Sequence, residues 1–191
     1  MHKATFDIGF WHPFGAHGDE TSAKILTRKR REIADNGWTL WCFQYRKPAT
    51  ISDWHKEIAC ITQRRVVVLC SDSPGAKAPS SRDVDCRYYC ESPQVGWSPV
   101  PPAIRAIQHI RDGCNFGSAF VVESIEGSLG ELPSISWWSK GLWRNDPLPT
   151  RGEYLIRTGG AAKLRRTAAV LVLRHPYIVS VAINDPTNVA Y

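Results

Sequence analysis

The run from Arg65 to Cys70, RVVVLC, limits the fold more than any other stretch of the chain. It is β-branched and almost without a polar break, the signature of a strand buried on both faces. Such a strand needs neighbours beside it and cover above and below. The rest of the sequence offers both. Ala4 to Trp11 alternates, with Phe6, Ile8 and Phe10 set against Asp7 and Gly9. Trp38 to Phe43, Val84 to Cys90, Gly117 to Ile125, Ile135 to Trp138, Glu153 to Arg157, Ala168 to Leu173 and Tyr177 to Ile183 also read as strands.

Helical signals are fewer and earlier. Thr21 or Ser22 suits an N-cap and Gly37 suits the C′ position of a helix with Ile25, Leu26 and Ile33 as its buried stripe. Thr50 or Ser52 caps a short helix over Asp53 to Ile61, and Pro102 opens another that reaches Ile110. Breaker clusters fall at His12-Pro13-Phe14-Gly15 and at Ser71-Asp72-Ser73-Pro74-Gly75, while Lys77 to Asp83 reads as an exposed loop. Helices early and strands late predict an α+β domain with a mixed or mostly antiparallel sheet. The alternative is a Rossmann-like open sheet in which FDIGFW, WTLWCF and RVVVLC run parallel. A length of 191 residues suits a single domain over 1–191, or one with a β-rich C-terminal extension from about residue 133.

Lys and Arg outnumber Asp and Glu by 24 to 18, a net charge of +6. The excess favours nucleic acid, nucleotides or another anionic partner. The chain opens without a signal peptide and holds no apolar run of membrane-span length, so a cytoplasmic protein with no membrane partner is expected. Cys42, Cys60, Cys70, Cys86, Cys90 and Cys114 do not form a dense disulfide pattern, and reduced thiols follow from the expected compartment. Cys86 and Cys90, four apart on a strand, stand roughly 13 Å from one another, too far to share an ion. No P-loop, GxGxxG or GxSxG is present, so neither metal nor cofactor is expected.

Three constellations carry possible chemistry. The first is aromatic: eight Trp, several beside turns or basic residues, where ring faces stack on bases and arginines hold phosphates. Most such rings fill cores in ordinary proteins, and alternation sends Trp38 and Trp41 to opposite faces of one strand. The second is basic: Arg28-Lys29-Arg30-Arg31 on the first helix, then Lys163, Arg165 and Arg166 after the Gly159-Gly160 turn. The third is the loop WHPFGAHGDE, Trp11 to Glu20, which joins a strand to a helix start and combines His12, His17 and Glu20 with aromatic rings.

FDIGFWHP, the helix ending NGWTLWCFQ, and SAFVVESI together resemble the PUA-like superfamily, closest in pattern to its EVE and ASCH domains. They span about half of the chain. The resemblance implies a small β-barrel with helices near its first strands, binding RNA or modified DNA bases in an aromatic-lined pocket. It implies ligand contacts from Trp11, His12 and Phe14, from Trp41, and from Ser71, Asp72 and Ser73, with Arg28 and Arg31 on flanking phosphates. Some ASCH-type proteins are hydrolases. Two other readings stand beside a nucleic-acid-binding module: a nucleotide- or RNA-directed hydrolase using Glu20, His12 and Asp72, and an interaction domain whose aromatics bury in a homodimer.

Overall fold

The computed structural model describes residues 6–16, 20–43, 47–60, 65–72, 81–111, 114–129, 131–164 and 167–186. In chain order these residues form β1 (Ile8–Phe14), α1 (Ser22–Asn36), β2 (Thr39–Phe43), α2 (Pro48–Ala59), β3 (Val66–Asp72), β4 (Ser81–Cys86), β5 (Tyr88–Cys90), β6 (Trp97–Pro99), β7 (Ala106–Arg111), β8 (Phe116–Glu126), β9 (Ser134–Ser139), β10 (Leu142–Arg144), β11 (Tyr154–Thr158), β12 (Ala162–Lys163) and β13 (Thr167–Ala182). The fold is α+β, mostly β, with mixed strand pairing. The chain builds two compact units from interleaved segments. The first takes Met1–Ala16, Lys47–Gly75 and Ser124–Leu173; the second takes His17–Arg46, Ala76–Glu123 and Arg174–Tyr191.

The first unit is a sheet in the order β10-β9-β11-β1-β3-β13, with β12 also on β9. RVVVLC lies inside it, parallel to β1 and antiparallel to β13. That position explains its uninterrupted apolar character. One face of this sheet carries Trp11, Val67, Leu69, Ile135, Trp137, Ile156 and Val170 in a shared core. On the other face Phe10 meets Trp54 of α2, ring centroids 5.2 Å apart. Pro13 does not end β1. The ladder with β11 closes at Trp11↔Tyr154, so Pro13 lies beyond it, on a stretch paired with β3 alone. A missing N–H is tolerated at such a place.

The second unit pairs β2 antiparallel with β8, β4 with β7, and β5 with β6 and β13. Its α1 begins and ends where the sequence signals stand. Thr21 Oγ1 accepts from the Lys24 N–H, and Gly37, at φ 79°, returns its own N–H to Ile33 O. The stripe differs from expectation: Ile25 is buried, but its companions are Lys29 and Glu32, while Leu26 and Ile33 are half-buried.

Three further expectations are corrected. Pro102 to Ile110 does not form a helix; β7 occupies its second half because Ala106 and Gln108 are buried on one side of a ladder with β4. Ser81–Asp83, expected in a loop, opens β4. A Rossmann-like start does not form either: β1 and β3 are parallel, but β2 is antiparallel to β8 in the second unit.

Candidate nucleic-acid interface

The parallel register of β1 and β3 sets His12 opposite Cys70, Pro13 opposite Ser71 and Phe14 opposite Asp72. Two sequence-distant parts of the expected pocket are thus neighbours. Their rings, however, face inward: Trp11 is 2% exposed and Phe14 is 4% exposed. Ser71 is buried as well. His12 Nδ1 stands 3.2 Å from Glu153 Oε1, both side chains buried, which ties the end of β1 to the residue before β11. Trp41 belongs to the second unit and is 5% exposed, on the strand face opposite Cys42. Ring faces at these three positions are taken up by packing, so they do not serve as open stacking surfaces. The Asp72 side chain, Ser73, His17, Arg165 and Arg166 lie outside the described residues.

The basic helix is also differently employed. Arg28 donates to Glu20 through Nε (2.9 Å) and Nη2 (2.7 Å), and to Glu32 Oε1 through Nη1 (2.8 Å). A guanidinium held by two carboxylates is not available to a phosphate, so Arg28 is a structural residue. Glu20 is engaged by the same ion pair: the Arg28 hydrogen bonds hold its carboxyl below the usual range. Lys29 Nζ is buried and donates to Glu32 Oε2 (2.8 Å), Leu40 O (2.7 Å) and Arg105 O (2.7 Å), with Thr39 Oγ1 farther off at 3.2 Å. Burial pulls the Lys29 pKa down, against the opposing pull of the Glu32 carboxylate. Burial pushes the Glu32 carboxyl up, but Lys29, Thr39 and Arg28 outweigh it and hold Glu32 below the usual range. Arg31 is 86% exposed, with Asp35 at 3.9 Å.

A different surface joins rings to cations. β9 is the hub of one edge of the first unit. Ser134 faces Lys163, Ser136 faces Arg157 and Trp138 faces Trp143. Alternation sends Ile135 and Trp137 into the core, so Ser134, Ser136 and Trp138 and their partners share the opposite face. The row therefore reads cation, cation, ring, in steps of about 7 Å along the strand. Arg157 lies over the Trp143 ring, 4.3 Å from its centroid, and Trp143 meets Trp138 edge-on at 5.3 Å. Trp143 Nε1 donates to Glu57 Oε2 of α2 (3.2 Å), which fixes that indole. Lys163 and Arg157 are exposed; Trp138 and Trp143 are half-buried.

The hairpin that makes this row is set locally. Lys140 (φ 51°) and Gly141 (φ 80°) form a two-residue turn with both residues left-handed, the geometry that matches strand twist. Asn145 Oδ1 accepts from Ser136 Oγ (2.8 Å) and from the Ala161 N–H (3.2 Å), binding the segments after β10 and before β12 to β9. The second unit has a comparable but smaller group: Arg174 stands 5.4 Å from the Trp38 ring centroid, and Trp38 lies 5.5 Å from Tyr89. The aromatic and basic signals included Lys163, Trp138 and Trp143, but not Arg157 and not their grouping, because these residues meet only through β9.

Among the described residues no three His, Cys, Asp or Glu side chains group as metal ligands, and no helix is long and apolar enough to cross a membrane. No protein-family model, curated protein or solved structure matches the chain.

Proposed function

We propose that this chain binds single-stranded nucleic acid along β9 of its first unit. The observation that carries the reading is the row Lys163, Arg157, Trp143 and Trp138 on one sheet face. Exposed cations neutralise successive phosphates, and half-buried indoles stack on unpaired bases. Arg157 is preorganised by the ring beneath it, a contact worth about 0.5–2 kcal/mol. The PUA-like variant, with a flipped base in a pocket at the ends of β1 and β3, has less support because Trp11 and Phe14 are packed inside. A strand lying across the sheet edge needs no such opening.

Titration of fluorescent oligo-dT and oligo-rU at low salt tests the proposal. Binding is expected to quench tryptophan emission and to weaken with salt. Arg157→Gln should flatten the log–log salt slope by about 0.7. Trp138→Ala should cost about 1–3 kcal/mol of binding. Absence of binding at low salt, or binding indifferent to both substitutions, overturns it.

A further inference from the structure

The cationic row along β9 has one carboxylate beside it. Glu57 lies on α2, the helix that sets Trp54 against Phe10 on the same sheet face. Glu57 follows Trp54 by three residues, so both side chains project from one side of the helix. Trp54 is buried and Glu57 is half-buried. Glu57 Oε2 accepts from Trp143 Nε1 at 3.2 Å. Trp143 in turn has Arg157 over its ring and Trp138 edge-on to it. Asp53 and Glu126, in the same unit, are each paired with a cation, Lys56 at 3.5 Å and Arg65. Among the described residues no cation pairs with Glu57, and the indole is its only hydrogen-bond donor.

A carboxylate repels phosphate, so the backbone of a bound strand belongs at Lys163 and Arg157, and a base belongs beside Glu57. With Oε2 engaged by the indole, Oε1 and the remaining lone pairs are left for a ligand. Such a group discriminates among bases by their donors. Guanine carries N1–H and the 2-amino N–H side by side. Adenine and cytosine set one amino group beside a bare ring nitrogen, whose lone pair opposes the carboxylate. Thymine and uracil offer one N–H flanked by two carbonyl oxygens. Guanine alone meets a carboxylate with two adjacent donors.

We propose, resting on the nucleic-acid reading above, that Glu57 makes the Trp138–Trp143 position a guanine site. The base stacks against Trp138, its N1–H and 2-amino N–H donate to the Glu57 carboxylate, and the flanking phosphates go to Arg157 and Lys163. Glu57 is then the residue that sets base preference on a surface whose other contacts are indifferent to sequence.

The test titrates the full chain at low salt with oligo-dT and with the same oligomer carrying a single central guanine, hypoxanthine, adenine or cytosine. Guanine should bind about tenfold tighter than thymine at that place, as a good bidentate base contact does. Hypoxanthine keeps N1–H but lacks the 2-amino group, and should fall between them. Glu57→Gln retains a carbonyl that can accept from Trp143 Nε1 but exchanges the second acceptor for a donor. It should bring the ratio of guanine to thymine affinity close to one. A carboxylate that merely held Trp143 in place would lower both affinities alike and leave their ratio unmoved. Equal binding of all the oligomers by the unaltered chain, a preference for another base, or a guanine preference that survives Glu57→Gln overturns the guanine site and leaves strand binding along β9 standing. Binding of none of them overturns both.

Discussion

Lys29 and Glu32 form an ion pair with 2.8 Å between Nζ and Oε2, their side chains 5% and 4% exposed. They lie one turn apart on α1 and look inward rather than to solvent. The pair joins α1 to β2 through Thr39 and Leu40, and to the Arg105 backbone, whose N–H donates to Glu32 Oε1 at 3.2 Å. Removing one partner leaves an uncompensated charge, so Glu32→Ala should destabilise the chain by about 3–5 kcal/mol. Replacing both, as Lys29→Met with Glu32→Leu, should recover much of that loss. Urea denaturation of the three variants measures it.

Acid should undo the same network. Glu20 and Glu32 have folded-state pKa values below the usual 4.5. In the window below that value the unfolded chain takes up protons that the folded chain resists, so stability falls as pH falls. At neutral pH the contribution is fully present. The urea midpoint should hold from pH 7 to pH 5 and drop below pH 4.5, and Glu20→Gln should lessen the drop without moving its direction.

The pairing of His12 with Glu153 should prove structural. Glu153→Ala removes a buried partner and should cost about 1–3 kcal/mol, while oligonucleotide affinity stays within twofold of the unaltered chain's, on the order of experimental scatter. A large loss of affinity with little loss of stability would move the ligand site back to the ends of β1 and β3.

Gly160 tests how closely β9 depends on the segment that returns to it. A Cβ there would stand 2.1 Å from the Ile135 carbonyl and 2.3 Å from the Ser136 nitrogen. These are backbone atoms that cannot swing aside. Gly160→Ala should destabilise by about 1–3 kcal/mol and should also weaken oligonucleotide binding, since Ser136 faces Arg157. Thermal melting beside the same titration checks both.

Local signals placed much of the architecture. Thr21 and Gly37 bounded α1, and RVVVLC and SAFVVESI marked β3 and β8. These features are written within a few residues of one another. What was not legible depends on distant partners. Ala106 and Gln108 became strand residues because β4 pairs with them. Arg28 looked like a phosphate ligand until Glu20 and Glu32 closed on it. The rings left partly open beside cations were Trp138 and Trp143, both half-buried, rather than the packed Trp11 and Phe14, a choice made by which sheet face the core covers.

Each unit is stitched from three separate stretches of polypeptide, and β13 supplies its first half to one and its second half to the other. No single cleavage can therefore release either unit whole. During synthesis, the first unit stays unfinished until Leu173 has left the ribosome, and the second must wait for the strand that follows. Apolar segments such as RVVVLC are thus made well before their β13 partner exists, a long interval in which an unsatisfied strand depends on being shielded.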